Sequence, residues 1–219
     1  MTEQRLVAPD TMPAAREAAL ERAATRLREE FHTVYGADIV EHMLISSYDR
    51  LATTATVPDY LPLLAERFAR ERLTALAKLE GRITPAGPAV LFVCTHNAGR
   101  SQMALGFFTH FVGDRAAGWS GGSQPGAAIN PLVVEAMAER GVDITTEYPK
   151  PYTDELMRAA DVVIDMGCGD TDPILSGHRF EQWPLRDPAG QGIEEVRAIR
   201  DEIEVRIRRL VVNLHLAAG

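Results

Sequence analysis

Cysteine is scarce in this chain, two among 219 residues, which excludes the disulfide framework of a small secreted scaffold. Thiols used so sparingly fit a reducing cytoplasm, where any disulfide is transient and catalytic. Positive charge is in deficit: 23 Lys and Arg stand against 31 Asp and Glu, a formal net charge of −8. A general nucleic-acid binder needs clustered Lys and Arg to neutralise phosphates, so that class is set aside, although a local positive pocket is still allowed. No apolar run approaches the roughly eighteen residues of a membrane span. Met1 to Asp10 is charged where a signal peptide would carry an apolar core. The expected location is therefore cytoplasmic, with neither membrane nor nucleic acid as a partner. What remains, 46% hydrophobic and 25% charged, is ordinary for a globular protein. The length suits one large domain or two modest ones with a real core.

The chain is organised around Leu91-Phe92-Val93-Cys94-Thr95-His96-Asn97-Ala98-Gly99-Arg100-Ser101. Ala89 to Val93 is a short apolar run with the β-branched content of a buried parallel strand. Cys94 follows, then five residues, then Arg100-Ser101, then a helix-compatible run from Gln102 to Val112. Strand, tight loop and helix aim backbone N–H groups and the positive helix end at one point. An oxyanion is stabilised there, and a thiol placed there loses its proton more easily. Arg100 adds a planar fork of donors suited to a tetrahedral oxyanion. Ser101 either caps the helix or donates to the thiolate. Gly99 permits a loop conformation closed to residues with a Cβ.

Upstream, hydrophobic periodicity predicts three amphipathic helices. The first opens at Asp10-Thr11 with Pro13 in its first turn and carries Leu20, Ala24, Leu27, Phe31 and Val34 on one face. The second runs from Ala37 to about Leu51 with Ile39, Val40, Met43 and Leu44. The third runs from Asp59 to Glu80 with Leu61, Leu64, Phe68, Leu76 and Leu79, and Gly81 closes it. A three-helix bundle over 12–81 has a marginal core of its own, and self-association would offset that weakness. Residues 82–88 form a linker, and 89–219 a second domain. There, strands are expected at Ala116–Ser120, Asp161–Met166 and Arg179–Leu185. Helices are expected from Asn130 to Arg140, from Thr153 to about Ala160, and from Ile193 onward. The last helix buries Val196, Ile199, Ile203, Ile207, Leu210 and Leu214, while Arg197, Arg200, Arg206, Arg208 and Arg209, interleaved with acids, form a solvated face. Strands alternating with helices indicate an α/β fold with a doubly wound parallel sheet. Ligands of such sheets sit at the carboxyl ends of the strands, where Cys94 falls. His32 and His42 read as surface residues, His96 as shaping the loop and His178 as part of a Ser-Gly-His turn. None has the companions of a metal site, so no metal is expected.

Cys94-Thr-His-Asn-Ala-Gly-Arg-Ser-Gln-Met-Ala104 resembles the active-site loop of the low-molecular-weight protein tyrosine phosphatase superfamily, and specifically its arsenate reductase branch. The segments at 120–131 (S-G-G-S-Q-P-G…N-P), 166–170 (M-G-C-G-D) and 187–190 (D-P-A-G) resemble the same family in the same order. The likeness thus covers the chain from about Ala89 to its end. The helical segment, especially 57–73, is more loosely similar to the three-helix dimerisation module of some actinobacterial arsenate reductases.

The resemblance implies a low-molecular-weight phosphatase-like domain that converts arsenate to arsenite, and a homodimer formed through the N-terminal helices. Cys94 would be the nucleophile, and Thr95, His96, Asn97, Ala98, Gly99 and Arg100 the oxyanion-binding loop, with Asn97 stabilising it. Asp187, in an Asp-Pro pair that alone would read as a turn, would be the general acid. Ser101 would hydrogen-bond the thiolate. The Cys94–arsenate adduct must then be attacked by a second thiol. Cys168 matches the resolving cysteine of thioredoxin-coupled relatives. Yet Asp172 stands where many relatives have a further cysteine, and Ala98 where some have one. Two routes stay open: a Cys94–Cys168 disulfide reduced by thioredoxin, or a mixed disulfide with an external thiol such as mycothiol, resolved by mycoredoxin. The second is slightly favoured. No bound cofactor is implied. A phosphatase on the same scaffold is the first alternative, disfavoured by Cys168 and by an aromatic content of only 6%. A non-catalytic oxyanion or arsenic sensor is the second, disfavoured because a sensor needs no general acid.

Overall fold

The computed structural model describes residues 11–53, 60–168 and 179–216. The expectations that fall on Asp10, Asp59, Asp172 and His178 lie outside the described residues. Three helices come first: α1 (Thr11–Phe31), α2 (Ala37–Ala52) and α3 (Leu61–Leu79). Their apolar positions recur at three- and four-residue spacing and meet in one core of Ala24, Leu27, Phe31, Val40, Leu44, Phe68 and Leu73. Two expected face residues are not part of it: Ile39 and Leu79 are 37% and 36% exposed. α3 packs against α1 and α2 and also against a short helix of the second domain at residues 154–159. Its buried sector follows Ala65, Ala69, Leu73 and Ala77, and the three alanines let the neighbours approach closely.

The remaining elements are β1 (Ala89–Cys94), α4 (Arg100–Val112), β2 (Ala117–Gly122), α5 (Pro131–Ala138), α6 (Asp154–Ala159), β3 (Val162–Asp165), β4 (Arg179–Gln182) and α7 (Ile193–Asn213). The strands form one sheet in the order β2-β1-β3-β4, and every pairing is parallel. β1 is central and buried along its whole length. Because side chains alternate across a sheet, Val90, Phe92 and Cys94 join the core made with α4, α5 and α7. Ala89, Leu91 and Val93 join the opposite core, which is continuous with that of α1 to α3. The bundle, marginal alone, is completed by one face of the sheet.

Element ends differ from expectation for local reasons. β2 extends to Gly122 because that residue's N–H finds the Lys150 carbonyl at 2.9 Å, and at Gly121 an added Cβ would lie 2.6 Å from the Tyr152 nitrogen. β4 stops near Trp183, whose N–H still reaches the Asp165 carbonyl. Pro184 cannot donate the next bond. α5 ends at Ala138, and Gly141 turns the chain at φ +71. On α7, Arg200 is buried rather than solvated, held by Glu139, Asp201 and the Ala136 carbonyl. Leu214 is only partly buried. Among the described residues no helix is long and apolar enough to cross a membrane.

Candidate active site

β1 delivers Cys94 to the carboxyl edge of the sheet, beside Gly122 of β2. α4 begins six residues later at Arg100. The loop between them is clipped from outside by the 123–130 segment. Ser123, Gln124, Gly126 and Asn130 donate backbone N–H bonds to the carbonyls of Cys94, Thr95, His96 and Ala98. With those carbonyls engaged, the loop's remaining capacity and the helix start are donor in character, as an oxyanion requires. The left-handed residue of this loop is Asn97, φ +47, a conformation that asparagine tolerates better than most residues. Gly99 is needed for a different reason than the expected one. Its φ is −148, and the constraint is steric, since a Cβ there would meet Pro188 Cγ at 2.6 Å.

Ser101 does not cap α4; Gly99 occupies that position. Its hydroxyl oxygen instead lies 3.0 Å from Cys94 Sγ. Asn97 Nδ2 donates to Ser101 Oγ at 2.8 Å. Asn97 Oδ1 accepts from the Lys150 backbone N–H at 2.9 Å and from Gln102 Nε2 at 3.1 Å. Sequence reasoning missed Gln102 and Lys150. Gln102 carried a faint signal, being a buried amide one residue past the Arg-Ser pair; Lys150 carried none.

Arg100 is buried, and its guanidinium donates to Asp187 Oδ2 at 2.6 Å and to the Leu185 carbonyl at 3.3 Å. Gly167, φ +97, leaves the space that Arg100 Nη1 fills, since a Cβ would come within 3.1 Å of it. Asp187 Oδ1 accepts from the Ala189 N–H at 2.9 Å, so its carboxylate is aimed by the turn that the Asp-Pro pair starts. Cys94, His96, Ala98, Arg100, Asn130 and Asp187 are among the residues lining a cavity of about 160 Å³. No Phe, Tyr or Trp is among its described lining.

Cys168 follows β3 directly. It is buried, its N–H donates to Asp165 Oδ1 and its carbonyl accepts from Ser123 Oγ. Thr95 Oγ1 donates to the Gly167 carbonyl at 2.7 Å, tying this segment to the loop that follows Cys94. Burial, then the charges of Asp165 and Cys94, push the Cys168 thiol up to about 12. Its side chain belongs to the core on the bundle side of the sheet, whereas Cys94 belongs to the other core. Both thiols are free. His96 is exposed at the cavity, and His32 and His42 are exposed on the bundle. No cluster of three potential metal ligands occurs among the described residues.

A parallel sheet whose central strand ends in a cysteine, with an arginine opening the next helix, defines the class of cysteine-based phosphatase folds. Within that class the chain belongs to the low molecular weight phosphotyrosine protein phosphatase family, which matches residues 89–217. Residues 20–77 match the protein-tyrosine-phosphatase-like N-terminal domain. A putative arsenate reductase of Halobacterium salinarum is 36% identical over 121 residues, 53% of this chain and 85% of that protein. Arsenate reductase 2 of Staphylococcus haemolyticus is 36% identical over 122 residues, 54% of this chain and 92% of that protein. Among solved structures, a thioredoxin-dependent arsenate reductase of Corynebacterium glutamicum superposes with a TM-score of 0.81 at 42% identity, covering 91% of this chain and 98% of that one. At that coverage the likeness extends into the N-terminal helices.

Proposed function

We propose that this protein is a thiol-dependent arsenate reductase that uses Cys94 as nucleophile and Cys168 as resolving thiol. The observation that carries the reading is a second buried thiol whose segment is hydrogen-bonded to the nucleophile loop through Thr95 and Gly167. A phosphatase has no use for it. The names of the relatives in three organisms support the same substrate, and a small cavity with no Phe, Tyr or Trp among its described lining residues suits an inorganic oxyanion better than phosphotyrosine.

In the proposed reaction, arsenate enters the loop and takes the guanidinium fork of Arg100. The Cys94 thiolate attacks arsenic, Asp187 protonates the departing oxygen, and water leaves. The Ser101 hydroxyl, 3.0 Å from Sγ, stabilises the thiolate before attack. Cys168 then attacks Cys94 Sγ. A sulfur–sulfur bond forms, the sulfur–arsenic bond breaks, and its electron pair stays on arsenic, which departs as arsenite. A dithiol of the thioredoxin type returns the disulfide to two thiols. The thioredoxin dependence of the Corynebacterium relative favours this internal route over mycothiol. The Cys168 thiol, held neutral by burial, must leave the core to attack, and Gly167 beside it is the natural pivot. We also place the enzyme in the cytoplasm, where two free thiols stay reduced, and propose that it pairs with a second copy through its N-terminal helices. Ile45 on α2 and Leu63 on α3, 49% and 53% exposed, are apolar side chains available for such pairing.

The test is arsenite release with thioredoxin and thioredoxin reductase, and separately with mycothiol and mycoredoxin. Thioredoxin-driven turnover that vanishes in Cys168→Ser is the expected result. Turnover with mycothiol that survives this substitution would overturn the internal route. Hydrolysis of p-nitrophenyl phosphate without any arsenite release would overturn the reductase reading.

A further inference from the structure

We infer that Glu71 on α3 and Lys150 are a positioning pair through which the N-terminal helices set the reactivity of Cys94. The chain holds two lysines, Lys78 and Lys150, and both join α3 to the catalytic domain. Lys78 Nζ reaches Asp161 Oδ2, which also accepts from the first N–H of β1. Lys150 is more unusual. Its side chain is wholly buried, with Nζ 2.7 Å from Glu71 Oε1 and 4.9 Å from the centre of the Tyr148 ring. Burial raises the Glu71 carboxyl from its ordinary value, and the Lys150 ammonium opposes that shift.

The main chain of the same short segment faces the other way. The Lys150 N–H donates to Asn97 Oδ1 and the Tyr148 carbonyl accepts from Gln102 Nε2. Thus 148–150 holds the nucleophile loop with its backbone while α3 holds its side chains, Tyr148 through the Leu64 carbonyl and Arg67, Lys150 through Glu71.

The chemistry of the contact fixes a direction. A backbone N–H only donates, so Lys150 compels Asn97 to present Oδ1 to it. Nδ2 must then face Ser101 and donate to its oxygen. With that lone pair occupied, the Ser101 proton is free to point at Cys94 Sγ, 3.0 Å away. A thiolate that receives a hydrogen bond is stabilised relative to the thiol. Unpairing Lys150 would leave a buried ammonium without its counter-charge, a costly state that the segment relieves by moving. Movement of the 148–150 segment releases the Lys150 N–H and also the Tyr148 carbonyl that holds Gln102, so both donors that orient Asn97 are disturbed. The bundle therefore acts on the site through another residue, without touching substrate.

The inference rests on Cys94 being the reactive thiol of the proposed reductase, so the readout is chosen to need no substrate. Full-length protein is alkylated with iodoacetamide over a range of pH, and the Cys94 peptide is followed by mass spectrometry. Glu71→Gln and Lys150→Met are each expected to slow Cys94 alkylation at neutral pH by about 3- to 10-fold, the range of coupling carried by such networks, and to move its pH profile upward. The double variant is expected to be no slower than the slower single, since the two residues act as one unit. Variants that melt at lower temperature yet keep the wild-type profile would show the pair to be merely structural and overturn the inference. Should Lys150→Met not fold, Glu71→Gln decides alone. A wild-type Cys94 that reacts like an ordinary free thiol, and that arsenate does not protect, would instead sink the reductase reading and the inference with it.

Discussion

Asp187 and Arg100 are ion-paired at the cavity wall, Oδ2 to Nη2 at 2.6 Å. The general-acid candidate and the incoming oxyanion therefore compete for one guanidinium. Asp187 is 42% exposed, so solvent screens the pair and arsenate can displace it. Asp187→Asn removes both the competitor and the proton source. Steady-state kinetics should show kcat reduced by about 10² to 10⁴-fold, the usual worth of a positioned acid, with KM for arsenate unchanged or lower. A raised KM at unchanged kcat would remove Asp187 from the chemistry.

Gly99 and Pro188 approach so closely that no side chain fits between them. Gly99→Ala should drive Pro188, and Asp187 with it, away from Cys94. A displacement of that size costs about 10²-fold in rate when reacting groups must be held in register. Circular dichroism should show the fold retained, and arsenite release should show the loss.

Cys168 supplies the pH prediction. Its thiol rises from an ordinary 9.0 to about 12 in the fold. A group whose folded pKa is raised contributes stability that is fully present below the unfolded value and is lost as pH climbs through the folded one. Stability should thus fall between about pH 9 and pH 12, and Cys168→Ala should remove that part of the loss in alkaline denaturation monitored by tryptophan fluorescence. The same shift predicts that Cys168 resists alkylation at pH 8 while Cys94 reacts.

The exposed apolar side chains of α2 and α3 carry the oligomer prediction. Ile45→Glu and Leu63→Glu together should halve the mass measured by light scattering if the helices pair two copies. A monomeric wild-type protein would end that proposal.

Much of the site was legible because it is local. Cys94, Asn97, Gly99, Arg100 and Ser101 lie within eight consecutive positions, and a strand–loop–helix turn can bring groups so close in sequence together without help from the rest of the chain. The three N-terminal helices were equally plain from their 3.6-residue periodicity. Their burial was less so. Ile39 on α2 and Leu79 at the end of α3 fit the helical stripe yet remain exposed. Arg200 read as a solvated cation, but Glu139 and Asp201 neutralise it where α5 meets α7.

By itself, then, the sequence determined the class of fold, the thiol–arginine loop and the order of its elements, since each rests on spacing within one turn or one strand. Only the tertiary structure decided what long-range packing decides. It set Asp187 against Arg100 across 87 positions of chain. It placed Cys94 and Cys168 in the two different cores that flank the sheet. It also brought Lys150 between a helix of the N-terminal bundle and the amide that orients Ser101. Periodicity and local spacing say which residues are buried or adjacent. Which buried charges meet depends on how the layers stack, and that is a property of the whole fold.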